Sequence, residues 1–343
     1  MPARVSACKG TFVAQVVIGI GTSHSPLLVL GGTQWEFRSR DDTHNKSLNM
    51  LDGRTLSYDQ LLAERGEQFA HLSNPNGFAA LAGKAEAALD HLATQIEAAQ
   101  PDVILVIGDD QGELFSPDNF PALAVYRGAE LVMKPSEHLK GMPPWADASF
   151  WAGYRMDLPH RHPGACTLAD ELVQGLMVEG VDVTSCASVP DPTQRGFGHA
   201  FGFVIQRLMK DVKIPMLPII LNTYFPPNTP TAARCLDVGK KIGRILAASK
   251  SPARVAVVAS GGLSHFLCEE AFDRKIVKAL EDKDATTLAA LPEEALRSGS
   301  SEIRNWVMLS GMVEHLRCDF TEYIPVYRTP VGTGIGLAFM TWR

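Results

Sequence analysis

The 343-residue chain carries 38 acidic against 32 basic side chains, a net charge of −6, and 45% of its residues are hydrophobic. That balance supports a sizeable core, and without a long basic run it argues against nucleic acid or an anionic membrane as main partner; small molecules fit better. The six cysteines are far apart with no C-x-x-C spacing, so no zinc ribbon or disulfide framework is suggested and a reducing cytoplasm fits.

In chain order, residues 1–13 read as an N-terminal extension ahead of an apolar run, Val13 to Gly21, which Gly19 and Gly21 break and which is too short for a membrane span. No convincing secretory cleavage pattern follows. Val103–Gly108, Met216–Leu221 and Val255–Ser260 repeat the style of the first run, as strands buried on both faces do. Between them Leu81, Ala85, Ala88, Leu89, Leu92 and Ile96 share one helical face. Further helices are predicted at 165–179, 199–211, 231–249, 270–282 and 301–317, with a closing strand near Gly336–Trp342. Ser300 is placed as the N-cap of the last helix and Glu302 in its first turn, complementing the dipole. Strand and helix alternate, which predicts an α/β fold with a sheet between helices, and without a linker or repeat one domain over 1–343. Residues 31–75 and 112–164 read as long functional loops.

The strand ends carry the chemistry, since ligands of open α/β sheets gather beyond the carboxyl ends of the strands. After the first strand comes Thr22-Ser23-His24, after the second Asp109-Asp110-Gln111-Gly112-Glu113, after the third Asn222-Thr223-Tyr224, and after the fourth Gly261-Gly262-Leu263-Ser264-His265 followed by Glu269-Glu270. Imidazoles and carboxylates converging on one edge suit a divalent metal of the non-haem iron(II) type, although Asp109-Asp110 is also a possible turn pair. Gly19-Ile20-Gly21-Thr22-Ser23-His24 has His in place of the third glycine of a dinucleotide fingerprint, so a nicotinamide site is rejected. No G-x-S-x-G elbow supports a serine hydrolase, and no cysteine lies beside an obvious base. His199, opening a helical pattern, is predicted to be a neutral imidazole able to accept a proton. Phe115, Phe120, Trp145, Phe150 and Trp151 are candidate pocket walls.

From about Val17 to Trp342 these pieces, in this order, resemble the class III extradiol ring-cleavage dioxygenases, the family of the catalytic β subunit of protocatechuate 4,5-dioxygenase and of gallate and methylgallate dioxygenases. Thr22-Ser23-His24, Gly198-His199, Thr223-Tyr224-Phe225-Pro226-Pro227 and Gly261-Gly262-Leu263-Ser264-His265 carry the likeness. The resemblance implies a single-domain mixed sheet flanked by helices, with Fe(II) as cofactor, a small aromatic substrate and O2 as partners, and ring opening beside a diol. It also implies His24 as a metal ligand, His199 as catalytic base, His162 as a second active-site histidine, and Glu270, or Glu269, as carboxylate ligand. Tyr224, His265 and Thr333 fall to the substrate. Where the family commonly shows Asp-His this chain has Asp110-Gln111, so Gln111 is the second ligand, directly or through water, or Asp110, Glu113 or His265 completes the site. The alternative is a metal-free or zinc-containing relative that binds or hydrolyses a small ligand. Pro330-Val331-Gly332-Thr333-Gly334 lacks the Ser-Asn of the protocatechuate enzyme. A homodimer is the expectation for a cytoplasmic enzyme of this size.

Overall fold

The computed structural model describes residues 14–135, 145–189, 191–251 and 253–343; the extension read over 1–13 lies outside them. The apolar runs form central strands because side chains alternate between two covered faces. Along Val103–Asp109, Val103, Leu105 and Ile107 enter one core cluster, and Ile104 and Val106 enter the other.

The strands of the main sheet, numbered in chain order, are β1 (Gln15–Thr22), β2 (Val103–Asp109), β3 (Leu123–Tyr126), β4 (Thr184–Cys186), β5 (Met216–Leu221), β6 (Arg254–Ser260), β7 (His265–Leu267), β8 (Cys318–Tyr327) and β9 (Thr333–Trp342). Their spatial order is β7-β9-β1-β6-β2-β5-β3-β4, with β8 on the other edge of β9. β1, β6, β2 and β5 are parallel neighbours. β9 runs antiparallel to β1, β7 and β8, and β3 antiparallel to β5. The sheet is therefore mixed, and the four parallel strands release their carboxyl ends along one edge.

The helices used below are α1 (Trp35–Asp42), α2 (Tyr58–Arg65), α3 (Pro75–Ala99), α4 (Cys166–Val178), α5 (His199–Phe203), α6 (Ala232–Ala248), α7 (Glu270–Asp282) and α8 (Ile303–Met312). The buried stripe Ala85, Ala88, Leu89, Leu92 and Ile96 lays α3 on one face of the sheet, and α4, α6 and α8 cover the other. The helix expected at 199–211 is a short α turn that widens into a π turn at Val204–Leu208. The helix expected at 301–317 ends at Met312 and follows a 3-10 turn at Ser298–Glu302. Ser300 does not cap it: its hydroxyl accepts the His265 backbone N–H at 2.9 Å. None of the described helices is long and apolar enough to cross a membrane.

The stretch 31–75 is more ordered than a loop. It holds α1, α2 with its Ser57–Gln60 capping box, and a small ladder pairing Leu48–Asn49 with Thr55–Leu56. Leu48, Met50 and Leu61 form a satellite core with Leu267 and Val331, and Phe266 packs against it. In 112–164 a second ladder pairs Glu130–Val132 with Arg161–Pro163.

Candidate active site

His24 leaves the end of β1 into a buried position whose hydrogen bonds fix its ring. Ser260, the last residue of β6, donates its only hydroxyl proton to the Ala200 carbonyl (2.7 Å), so its oxygen accepts from His24 Nδ1 (2.9 Å). In the neutral ring that leaves the Nε2 lone pair facing inward. Glu302 meets it there, with Oε2 3.3 Å from His24 Nε2. Two buried acceptors at this separation require a proton or a metal cation between them. Burial opposes ionisation of Glu302, yet His24 and His265 beside it, and the Gly262 amide that donates to Oε2 at 2.7 Å, bring its pKa down to about 2.

The end of β2 supplies a second group. Asp109 Oδ2 accepts from the Gln111 side-chain amide at 3.1 Å, while Oδ1 is buried with no partner among the described residues. Burial, with Glu302 nearby, raises Asp109 to about 6. Asp110 is spent on the turn: its carboxylate accepts the amides of Glu113, Leu114 and Phe115 at 2.7, 2.9 and 2.7 Å. Glu113 reaches His199 Nδ1 at 2.8 Å, and the Gln111 amide nitrogen lies 3.3 Å from His199 Nε2. Burial alone would lower the pKa of His199, but Glu113, Asp109 and Glu302 raise it to about 10. The lowering of its pKa expected from its place at a helix start is thus not found; a carboxylate partner outweighs the dipole of a five-residue helix.

His24, Asp109, His199 and Glu302 each present a donor atom within 4.8 Å of the others. The facing acceptors and the orphan Asp109 oxygen show that these residues fit a divalent cation. His24, His199 and Glu302 floor a cavity of about 380 Å³ whose walls include Trp145, Phe150, Trp151, Tyr154, Tyr224 and His265, and Asp109 is buried beside them. Phe115 and Phe120 pack instead with each other, and Phe120 with Phe225. His265 donates from Nδ1 to the Leu263 carbonyl at 2.9 Å and turns Nε2 toward Glu302, 3.7 Å from Oε2. Burial holds its pKa below the ordinary histidine value. The Tyr224 hydroxyl donates to Glu302 Oε1 at 3.4 Å.

Residues 73–338 match the family model described as the catalytic LigB subunit of aromatic ring-opening dioxygenase. The chain belongs to this family. No significant match to a curated protein accompanies it. Membership in the LigB family implies aromatic ring-opening dioxygenase chemistry, and it agrees with the mixed α/β sheet flanked by helices.

Of the residues singled out in the sequence of this LigB-family chain, the structure brings together His24, Gln111, His199, Tyr224 and His265. Others lie elsewhere. Glu270 opens α7 and is taken by Arg274 at 2.8 Å and by the Tyr327 hydroxyl at 3.1 Å, and Glu269 pairs with Arg65 at 2.9 Å. Neither carboxylate lines the cavity; that place belongs to Glu302. His162 sits on a short ladder strand with Nε2 on the Ile214 carbonyl at 2.8 Å, joining two segments of backbone away from the cavity walls. Thr333 is fully buried and away from the cavity walls; it donates to Asp42 at 2.8 Å, and its carbonyl accepts the Arg328 backbone N–H at 2.7 Å. Glu302 is not legible as a site residue in the sequence because a glutamate after serines reads as helix-start chemistry. The available signal was the cluster Glu302, Arg304, Asn305 at the head of an otherwise apolar helix, where buried charge must be paired.

Proposed function

We propose that the protein is an iron(II)-dependent extradiol dioxygenase that opens the ring of a catechol-type or gallate-type aromatic with O2. The observation carrying this reading is the two-imidazole, two-carboxylate cluster, three members of which floor an aromatic-walled cavity, with His265 Nε2 turned toward it. His24, Asp109 and Glu302, with His199 as fourth donor, would hold the metal. Bound iron(II) would supply a centre at which two adjacent phenolic oxygens and O2 meet and exchange electrons.

The side chains do the rest. His265 Nε2 is the proton acceptor for a phenolic hydroxyl, because its Nδ1 proton is committed to Leu263 and burial disfavours the charged ring. It takes this role in place of His199, whose Nδ1 is committed to Glu113 and whose other nitrogen belongs to the donor cluster. Trp145, Phe150 and Trp151 offer flat apolar surface to an aromatic ring and exclude water. Tyr224, bonded to Glu302, sets the orientation of that carboxylate and reaches the substrate side of the cavity.

The test is anaerobic loading with Fe(II) followed by oxygen uptake and absorbance on gallate, 3-O-methylgallate, protocatechuate and simple catechols. Iron-dependent uptake with a ring-opened chromophore is expected for at least one compound. Metal bound at the site with silence across the panel would overturn the dioxygenase reading.

A further inference from the structure

Beyond the donor cluster, the same cavity is lined by two guanidiniums, Arg38 from α1 and Arg328 from the turn after β8. Arg328 is almost wholly buried and gripped by Asp42, with Nε 2.6 Å from Oδ2 and Nη2 3.1 Å from Oδ1. Asp42 is fixed in turn by Thr333 Oγ1 at 2.8 Å. This grip uses one edge of the guanidinium, and Nη1 makes no hydrogen bond among the described residues.

Arg38 is less well matched. Its nearest carboxylate is Asp41, an exposed group 3.7 Å away that also accepts the Trp145 indole N–H at 3.0 Å. The guanidinium lies over the Trp145 ring, 5.1 Å from its centroid, and makes no hydrogen bond among the described residues. Burial and the charge of Arg328 lower its pKa, so the two cations feel each other across the cavity. Arg328 also contributes to the lowered pKa of His265, which puts the pair within electrostatic reach of that histidine. Two half-paired guanidiniums in a partly desolvated wall form a site for an anion, and their planar forks match a carboxylate.

We propose that Arg38 and Arg328 form an anion-binding subsite that takes the carboxylate of a single-ring aromatic acid whose diol end meets the donor cluster. The inference rests on the ring-opening reading. A cavity of about 380 Å³ suits one ring with its substituents, and Trp145 would serve both as ring wall and as the surface that holds Arg38 in place. Asp42 and Thr333 are positioning residues, aligning Arg328 without touching the ligand.

The experiment compares 3,4-dihydroxybenzoate with catechol, two compounds that differ only in the carboxylate, by anaerobic titration of tryptophan fluorescence in the Fe(II)-loaded protein and in its Arg38→Met and Arg38→Lys variants. The wild type is expected to prefer the acid by at least roughly tenfold, the scale of one charge-assisted bond. Arg38→Met should bring that ratio close to one, and Arg38→Lys should retain part of it. A wild type that binds and opens catechol yet shows no preference for the acid would overturn the subsite and leave the ring-opening reading standing. So would a preference that survives in Arg38→Met. If neither these two compounds nor gallate and 3-O-methylgallate are bound or opened, the ring-opening reading fails and the subsite falls with it. The wild-type comparison decides the matter even if a variant does not fold.

Discussion

The tautomer of His24 is decided by a residue that contributes nothing to the metal cluster directly. Because Ser260 gives its proton to the Ala200 carbonyl, its oxygen is an acceptor only, and His24 must present Nδ1–H to it. The consequence is an Nε2 lone pair aimed at Glu302. Ser260→Ala removes the acceptor without opening a large cavity. Loss of such an outer partner commonly costs about 10–100-fold in metal affinity. We therefore expect Fe(II) or Zn(II) affinity, measured by competition with a chromophoric chelator, to fall by roughly tenfold or more while the thermal melt of the metal-free protein shifts little. Unchanged affinity would mean that the His24 ring needs no such orientation. Glu302→Gln is the companion case, since a neutral amide cannot balance a buried cation as a carboxylate does.

The elements show what the sequence made readable. The central strands β1, β2, β5 and β6 and the stripe of α3 stand out because burial on two faces or on one helical face leaves a long periodic trace. The strands β3, β4 and β7 are three or four residues long and carry too few side chains to show any period. The site is divided the same way. His24 and His265 were visible as polar residues ending apolar runs, whereas Glu302 depends on how α8 docks. That docking is specific: Trp306 Nε1 donates to the Gly261 carbonyl at 2.8 Å, Asn305 donates to the Ser260 carbonyl at 2.9 Å, and Glu302 accepts from Gly262. The first turns of α8 thus hold the end of β6, a long-range contact with no local signature. Gly21 in β1 makes room for it, because a Cβ there would run into the six-membered ring of Trp306. Gly21→Ala should destabilise by about 1–3 kcal/mol through overpacking, and by moving Trp306 it should also weaken metal binding through Glu302. Urea denaturation checks the first effect and chelator competition the second; an unchanged midpoint would show that the Trp306 ring can yield.

At the scale of the molecule, the parallel core strands set down their polar ends on one edge, and a buried acid fastens that edge to the rest of the fold. Asp273 of α7 is fully buried and accepts from Ser264 N at 2.9 Å, Ser264 Oγ at 2.6 Å and the Tyr323 hydroxyl of β8 at 2.8 Å. It lies against Gly336 of β9, where any Cβ would collide with its carboxylate. One side chain therefore ties α7, β8 and β9 to Ser264, the residue that leads into His265 and β7. Burial raises its pKa to about 7, and the three donors only partly offset the cost of its charge. The unfolded chain releases this proton near 3.8, so the folded state binds it more tightly and its contribution to stability is full below about pH 4. It is lost as pH rises through 4 to 7 and stays flat above that. The expected result is that wild-type stability, compared with Asp273→Asn over this window, declines relative to the variant as pH rises, because the amide keeps the Ser264 N–H bond and has no proton to lose. Urea melts at half-unit intervals from pH 4 to 8 measure the difference. Parallel profiles for the two proteins would show that Asp273 is ionised throughout and that its three donors fully balance the buried charge.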